Sequence, residues 1–174
     1  GEELLLNAGV DDLIWLRTVR HHHERYDGSG YPDSLHNDNI PLTTGIAAIA
    51  DAYSSMLNQA LFRDKGTGKQ ALQLLYTERN KLFNANVIEL FIKVIGIYPP
   101  GSLVKLKNNE VGIVVKRTNN VQAPIVLTLM KPDGSLDHSR KERNSGNLDY
   151  KILDVLPSNT YNILQEQLQK VWGG

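Results

Sequence analysis

Residues 21–32 of the chain read HHHERYDGSGYP. This stretch places three imidazoles and two carboxylates directly before a turn that contains Gly28 and Gly30. Imidazole and carboxylate groups are common metal ligands, and glycine adopts backbone conformations that other residues avoid. The stretch therefore predicts a metal site at the end of a helix, followed by a shaped loop.

The residues before this stretch predict the helix that carries it. Asp11 or Asp12 is a suitable N-cap, and apolar residues then recur at helical spacing, namely Leu13, Leu16 and Val19. If the helix continues through His23, this imidazole lies on the core-facing side. His21 is expected to be a surface residue.

A second candidate ligand lies 28 positions after His23. Asp51 interrupts residues 46–53, which read IAAIADAY and have the apolar spacing of a helix. A lone buried carboxylate is costly, so an acid in this pattern requires a metal ion or another cation as a partner. Asp51 is therefore a second candidate metal ligand.

The remainder of the first hundred residues favours helices. Thr67 and Gln70 match a capping box at the start of one helix, and Asn84 or Asn86 begins a strongly amphipathic helix that ends at Gly96.

After Gly101 the apolar period changes to that of strands. A hairpin with a two-residue turn at Asn108-Asn109 is predicted, with further strands at residues 125–130 and 152–156 and a mobile loop at 137–149. The predicted fold class is thus mainly α, with a small antiparallel β appendage and a terminal helix. The predicted domains are residues 1–97, 98–157 and 158–174.

Opposite charges balance in this chain, which has 19 lysines and arginines against 19 aspartates and glutamates. The balance argues against binding to a nucleic acid polymer. No run of about 18 apolar residues and no signal peptide is found, so membrane insertion is not expected. The absence of cysteine excludes thiolate ligands and is typical of a cytoplasmic protein.

Four motifs occur in an order that is typical of one protein family. They are His22-His23-Glu24, residues 27–32 (DGSGYP), Ile40-Pro41-Leu42 and residues 46–53. Together they resemble the HD-GYP family, a branch of the all-helical HD phosphohydrolases. The resemblance covers residues 1–97 and implies the C-terminal part of the helical domain of that family.

The resemblance implies a function in bacterial signalling. Members of the HD-GYP family hydrolyse cyclic di-GMP to pGpG or GMP, and they use two or three iron or manganese ions. The signature loop of the family also implies diguanylate cyclase (GGDEF) domains as partners. The resemblance assigns metal binding to His22, His23 and Asp51. It assigns substrate binding to Gly30, Tyr31, Pro32 and Arg63. No catalytic acid or base is assigned.

Glu24 and Asp27 are placed to support the ligands or the helix end rather than to bind metal directly. The chain also departs from the family. No histidine precedes His21, so the His-Asp dyad, a lysine and a further histidine of the family have no counterpart. Gly45 and Ala60 stand where the family commonly has arginines.

These departures favour a C-terminal fragment that is inactive alone, with its metal sites unfilled. Apolar helix faces left uncovered in such a fragment would favour a homodimer. Two alternatives remain: a catalytically degenerate regulatory or binding module, and an HD-type phosphohydrolase that acts on another nucleotide.

Overall fold

The computed structural model describes residues 1–62 and 67–157. The chain divides into two compact units, one helical and one that contains a β-sheet. The helical unit consists of Gly1–Met56 and Ala71–Val94. No helix among the described residues has both the length and the apolar content needed to cross a membrane. The predicted C-terminal helix at 158–174 lies outside the described residues.

Helices α1 to α5 follow one another in the first half of the chain. Their bounds are Glu2–Asn7, Leu13–His21, Leu42–Phe62, Gly68–Thr77 and Ala85–Ile95. The predicted caps are confirmed. Asp12 Oδ1 accepts the amides of Ile14 and Trp15 at the start of α2. Thr67 and Gln70 exchange the hydrogen bonds of a capping box at α4, and Asn84 Oδ1 accepts two amides at α5.

The core of the helical unit is formed by α3, α4 and α5 and by the segment before α5. It contains Ala48, Ile49, Leu75, Phe83, Val87 and Ile88, all of which are buried. Because Ile49 and Ala48 occupy the buried side of α3, the register of the helix turns neighbouring Asp51 toward solvent.

Helix α2 is shorter than the sequence predicted, because it ends at His21 rather than continuing through His23. The Nδ1–H of His22 donates to the carbonyl oxygen of Val19 at 2.8 Å. This is the carbonyl that the amide of His23 would use in a continued helix. The side chain thus replaces the main chain as donor and helps to end the helix. The predicted core position of Leu13 is also wrong, since this side chain is 68% exposed.

Apolar side chains are exposed on the two N-terminal helices. Leu4 is 74% exposed and Ile14 is 64% exposed. Homodimerisation through such a surface stays a prediction.

The second unit contains a five-stranded antiparallel sheet with the strand order β4-β3-β2-β1-β5. The strands β1 to β5 span Leu103–Leu106, Val111–Lys116, Ile125–Met130, Glu142–Asn144 and Ile152–Leu156. Val104 is paired with Gly112 in the first hairpin. The predicted order of helices followed by a small antiparallel sheet is therefore confirmed.

Two details of the sheet differ from the prediction. Four residues, 107–110, connect β1 and β2 instead of two, and Asn109 there has a φ of 67°. The predicted mobile loop at 137–149 contains β4 and overlaps a 3-10 turn, Leu148–Tyr150. Strand β4 escaped prediction because it has only three residues, all polar, and carries no apolar alternation.

Buried polar groups organise the segment that contains β4. Asp137, 8% exposed, accepts hydrogen bonds from the hydroxyls of Thr128 and Ser139 and from the amide of Ser139. These hydrogen bonds lower the pKa of Asp137 to about 2. The largest contribution comes from the Ser139 hydroxyl and the next largest from the Thr128 hydroxyl. Charge-assisted hydrogen bonds therefore help to hold this segment.

We expect Asp137→Ala to lower the free energy of unfolding by roughly 2 kcal/mol, because it leaves the buried hydroxyl of Thr128 without its acceptor. The folded-state pKa of Asp137 lies below its ordinary value of 3.8. The stabilisation is thus fully present above pH 3.8 and is lost as the pH falls toward about 2. Urea denaturation between pH 2 and pH 7 measures both effects. The exposed Asp149 serves as the control, and equal stability of Asp137→Ala and Asp149→Ala would contradict the assignment.

Candidate functional site

The site is built around the C-terminal end of α2, where two imidazoles lie side by side. The ring centroids of His22 and His23 are 4.0 Å apart, and both residues are half-buried. Because Nδ1 of His22 donates its hydrogen to the carbonyl of Val19, the neutral ring presents Nε2 as a free lone pair. This is the tautomer that binds a metal ion, and an oriented ring of this kind is common among metal-ligating histidines. His22 therefore fits a metal ligand.

Glu24 follows the two histidines and is almost fully buried, at 2% exposure. Its Oε1 accepts the amide of Asp33 at 2.7 Å, and its Oε2 accepts the amide of Leu35 at 3.0 Å. The carboxylate thereby fixes the main chain after the glycine turn. The expected support of the metal ligands by Glu24 stays a prediction.

Asp27 stabilises the turn itself. Its Oδ1 accepts the hydroxyl of Ser29 at 2.6 Å and the amide of Ser29 at 3.0 Å. These two donors lower the pKa of Asp27, the hydroxyl more than the amide. The residue is exposed and serves the loop conformation.

The glycines of the loop have separate roles. Gly28 has a φ of 81°, a region that favours glycine. Gly30 instead lies against the main chain of Glu24, and a Cβ on Gly30 would approach the carbonyl carbon of Glu24 to 2.6 Å. The loop can therefore fold back onto the main chain of Glu24 and Arg25 only if residue 30 is glycine.

Tyr31 places its ring over His23. The two ring centroids are 4.9 Å apart with an angle of 28° between the planes, so the rings are stacked. The peptide bond from Tyr31 to Pro32 is cis. Tyr31 remains 61% exposed, so the second face or edge of the ring is available to a ligand.

An ion cluster that the sequence did not predict lies next to this loop. The guanidinium of Arg20 donates to both carboxylate oxygens of Asp33, at 2.9 and 2.8 Å. His21 Nε2 lies 2.8 Å from Asp33 Oδ2, and its Nδ1 lies 3.0 Å from the carbonyl oxygen of Arg17. The side chain of His21 is 12% exposed, so its prediction as a surface residue is wrong.

The electrostatics of the cluster follow from these contacts. The hydrogen bonds from Arg20, and then that from His21, hold the pKa of Asp33 well below its ordinary value. The same contact with Asp33, followed by that with Glu2, raises the pKa of Arg20. Asp33 is therefore a carboxylate under ordinary conditions. No local sequence signal identifies the pair, because its members are 13 positions apart.

Asp51 is exposed on α3. Among residues 1–62 and 67–157, no group of three or more histidine, aspartate or glutamate side chains is arranged to hold a metal ion. The three-ligand site of His22, His23 and Asp51 thus stays a prediction. Arg63, predicted to lie near substrate phosphates, falls outside the described residues.

Gly45 lines a cleft of about 280 Å³, together with Glu24 and Asn84. A Cβ on Gly45 would meet no atom within 4 Å. The space directly beside Gly45 is therefore open.

Comparison with known proteins identifies the family. Residues 15–87 match the family described as HD domain. A cyclic di-GMP phosphodiesterase of Pseudomonas aeruginosa is 31% identical over 117 residues, which are 67% of this chain and 28% of that protein. The cyclic di-GMP phosphodiesterase response regulator RpfG of Xanthomonas campestris is 40% identical over 84 residues, 48% of this chain and 21% of RpfG.

A third relative has a different stated substrate. The 3'3'-cGAMP-specific phosphodiesterase 2 of Vibrio cholerae is 35% identical over 72 residues, which are 41% of this chain and 14% of that protein. The chain thus spans less than a third of the length of each of these relatives. Together with residues 22–32 of the signature, the matches show that the chain belongs to the HD-GYP branch of the HD domain family.

Proposed function

We propose that the protein is a phosphodiesterase that hydrolyses cyclic di-GMP to pGpG or GMP. The observation that carries this proposal is the stacking of Tyr31 on His23, beside the imidazole of His22, whose Nδ1 is hydrogen-bonded to Val19. This pairing places a potential metal ligand next to an exposed aromatic ring. A cyclic dinucleotide has both of the groups that such a site would recognise, since it carries phosphates and stacked purine bases.

His22, His23 and Asp51 are the residues that we propose as ligands of iron or manganese. The donor set suits these metals because it combines imidazole with carboxylate. Once bound, such ions would activate water and neutralise charge on the phosphoryl oxygens. The proposal requires Asp51 and further ligands to join the two imidazoles.

The other residues of the site have supporting functions in the proposal. Glu24 holds the loop main chain through two amides, and Gly30 permits the close approach of the loop to the main chain of Glu24 and Arg25. Tyr31 would stack on a base of the substrate, as aromatic side chains commonly do with nucleotides. We propose Arg63 as a contact to the phosphates and Gly30, Tyr31 and Pro32 as the substrate loop.

A substrate panel tests this proposal. The full-length protein, supplied with Fe²⁺ or Mn²⁺, is incubated separately with cyclic di-GMP, 3'3'-cGAMP and a linear nucleotide, and the products are separated by chromatography. We expect cyclic di-GMP to be consumed at least about tenfold faster than the others. Tight binding of cyclic di-GMP without hydrolysis would instead support a regulatory module, and preference for the linear nucleotide would support another HD-type phosphohydrolase.

The exposed ring of Tyr31 gives a separate prediction. We expect Tyr31→Ala to raise KM for cyclic di-GMP about tenfold, since base stacking on an aromatic ring contributes on the order of 1 kcal/mol or more. Bound metal, measured by elemental analysis, should not change. Tyr31→Phe retains the ring and is the matched control. Loss of metal from Tyr31→Ala would contradict this separation of functions.

We also propose the Tyr31 loop as the contact for diguanylate cyclase (GGDEF) domains. Tyr31 is 61% exposed, so its side chain is accessible to a protein partner. The Tyr31 variants would report on this contact in a direct binding assay with an isolated GGDEF domain.

A further inference from the structure

The carboxylate of Asp33 is held from two directions by the end of α2. Arg20 binds both oxygens with the bidentate geometry that favours a fixed orientation. His21 contacts one of the same oxygens at 2.8 Å. Asp33 comes directly after Tyr31-Pro32, so these contacts fix the loop beyond its aromatic residue.

A second anchor acts on the main chain of the same residue. The amide of Asp33 donates to Glu24 Oε1 at 2.7 Å. Glu24 follows His23 directly, whereas Arg20 and His21 precede His22. The residues that hold the loop therefore flank the two candidate metal ligands on both sides.

We propose that Arg20 and His21, acting through Asp33, are positioning residues that keep Tyr31 stacked on His23 and thereby preorganise the substrate loop. This inference rests on the proposed phosphodiesterase function and extends it to residues outside the signature. The stacking distance of 4.9 Å between Tyr31 and His23 is the geometry that these contacts would maintain. Substrate binding then does not have to order the loop, which favours affinity.

The exposure of the pair argues for a positioning role rather than a stabilising one. The side chains of Arg20 and Asp33 are 41% and 39% exposed. Ion pairs at such positions contribute little to global stability. Their effect should therefore be local to the loop.

Arg20 has one further contact, which provides a control. Its Nη1 donates to Glu2 Oε2 in α1 at 3.0 Å. Glu2→Gln weakens this link and leaves both contacts with Asp33 in place. A positioning role through Asp33 predicts that Glu2→Gln behaves like the wild type.

The test compares Asp33→Asn and Arg20→Gln in the full-length protein. We expect KM for cyclic di-GMP to rise about fivefold, with kcat within twofold of the wild type and with unchanged metal content. Hydrogen exchange of the amides in residues 28–35 should accelerate at least about fivefold. Arg20→Lys should give an intermediate result, because lysine keeps the charge but not the bidentate geometry. Asp38→Asn and Arg17→Gln are matched controls that should change none of these quantities.

Unchanged hydrogen exchange in Asp33→Asn would overturn the proposal, and so would a loss of metal or an equal fall in kcat and kcat/KM. A general drop in the melting temperature of Asp33→Asn would also overturn it, since the role would then be structural. If the wild type hydrolyses no cyclic dinucleotide, the proposed function fails, but hydrogen exchange still decides whether Asp33 fixes the loop. The two failures are therefore distinguishable.

Discussion

Replacing His22 with alanine is expected to lower the bound iron or manganese and to reduce hydrolysis of cyclic di-GMP at least about 100-fold, as for loss of a direct metal ligand. His22 is a better choice for this substitution than His23, because fewer other contacts of the loop depend on its ring. It is oriented by Val19, whereas His23 also carries the stacked ring of Tyr31. Elemental analysis of metal per chain and a hydrolysis assay measure the two effects.

Two further variants make this result interpretable. Asp51→Ala should show the same loss of metal and activity if its carboxylate joins the site. His36→Ala removes an exposed imidazole from the same loop region and should leave metal content unchanged. If His22→Ala and Asp51→Ala both retain the metal content of the wild type, the ligand assignment is wrong. Circular dichroism of each variant shows whether the helices persist.

The helix starts could be predicted because their determinants are local. Asp12, Thr67 and Asn84 each accept an amide two or three positions further along the chain, and such spacing is visible in a sequence. The hairpin of β1 and β2 is also local, with only residues 107–110 between its strands. These elements depend on interactions that a short window of residues contains.

The contacts around Asp33 could not be predicted in this way. Arg20 and His21 contact Asp33 only because the chain reverses direction between residues 21 and 33. This reversal depends on the close approach of Gly30 to Glu24. The end of α2 was missed for a related reason, since the His22 side chain takes the carbonyl of Val19. The apolar periodicity of a sequence predicts which face of a helix a residue occupies. It does not predict which side chain will take a hydrogen bond from the main chain and so end the helix.

The proposed metal site shows a further limit of prediction from the sequence. The positions of His23 and Asp51 match a family pattern, but the two residues are 28 positions apart, with loop and helix between them. Their mutual distance depends on how α2 and α3 are packed, and packing is not encoded in spacing alone. The tautomer of His22, in contrast, follows from a local contact, the hydrogen bond from its Nδ1 to the carbonyl of Val19.

Replacing Gly30 with alanine is expected to destabilise the loop by about 2 kcal/mol and to reduce hydrolysis at least about tenfold. The added Cβ would meet main-chain atoms of Glu24 and Arg25, which cannot move aside as a flexible side chain can. Overpacking of this kind typically costs about 1 to 3 kcal/mol. Because the loop would have to shift away from α2, Tyr31 would no longer lie over His23.

Gly45→Ala is the matched control for this substitution. A Cβ on Gly45 meets no atom within 4 Å, and alanine is favoured over glycine inside a helix by about 1 kcal/mol. We therefore expect Gly45→Ala to be neutral or stabilising in urea denaturation, while Gly30→Ala unfolds at lower urea and loses the protection of amides in residues 28–35. Equal stability and equal activity of the two variants would mean that the close approach of Gly30 to Glu24 does not govern the loop.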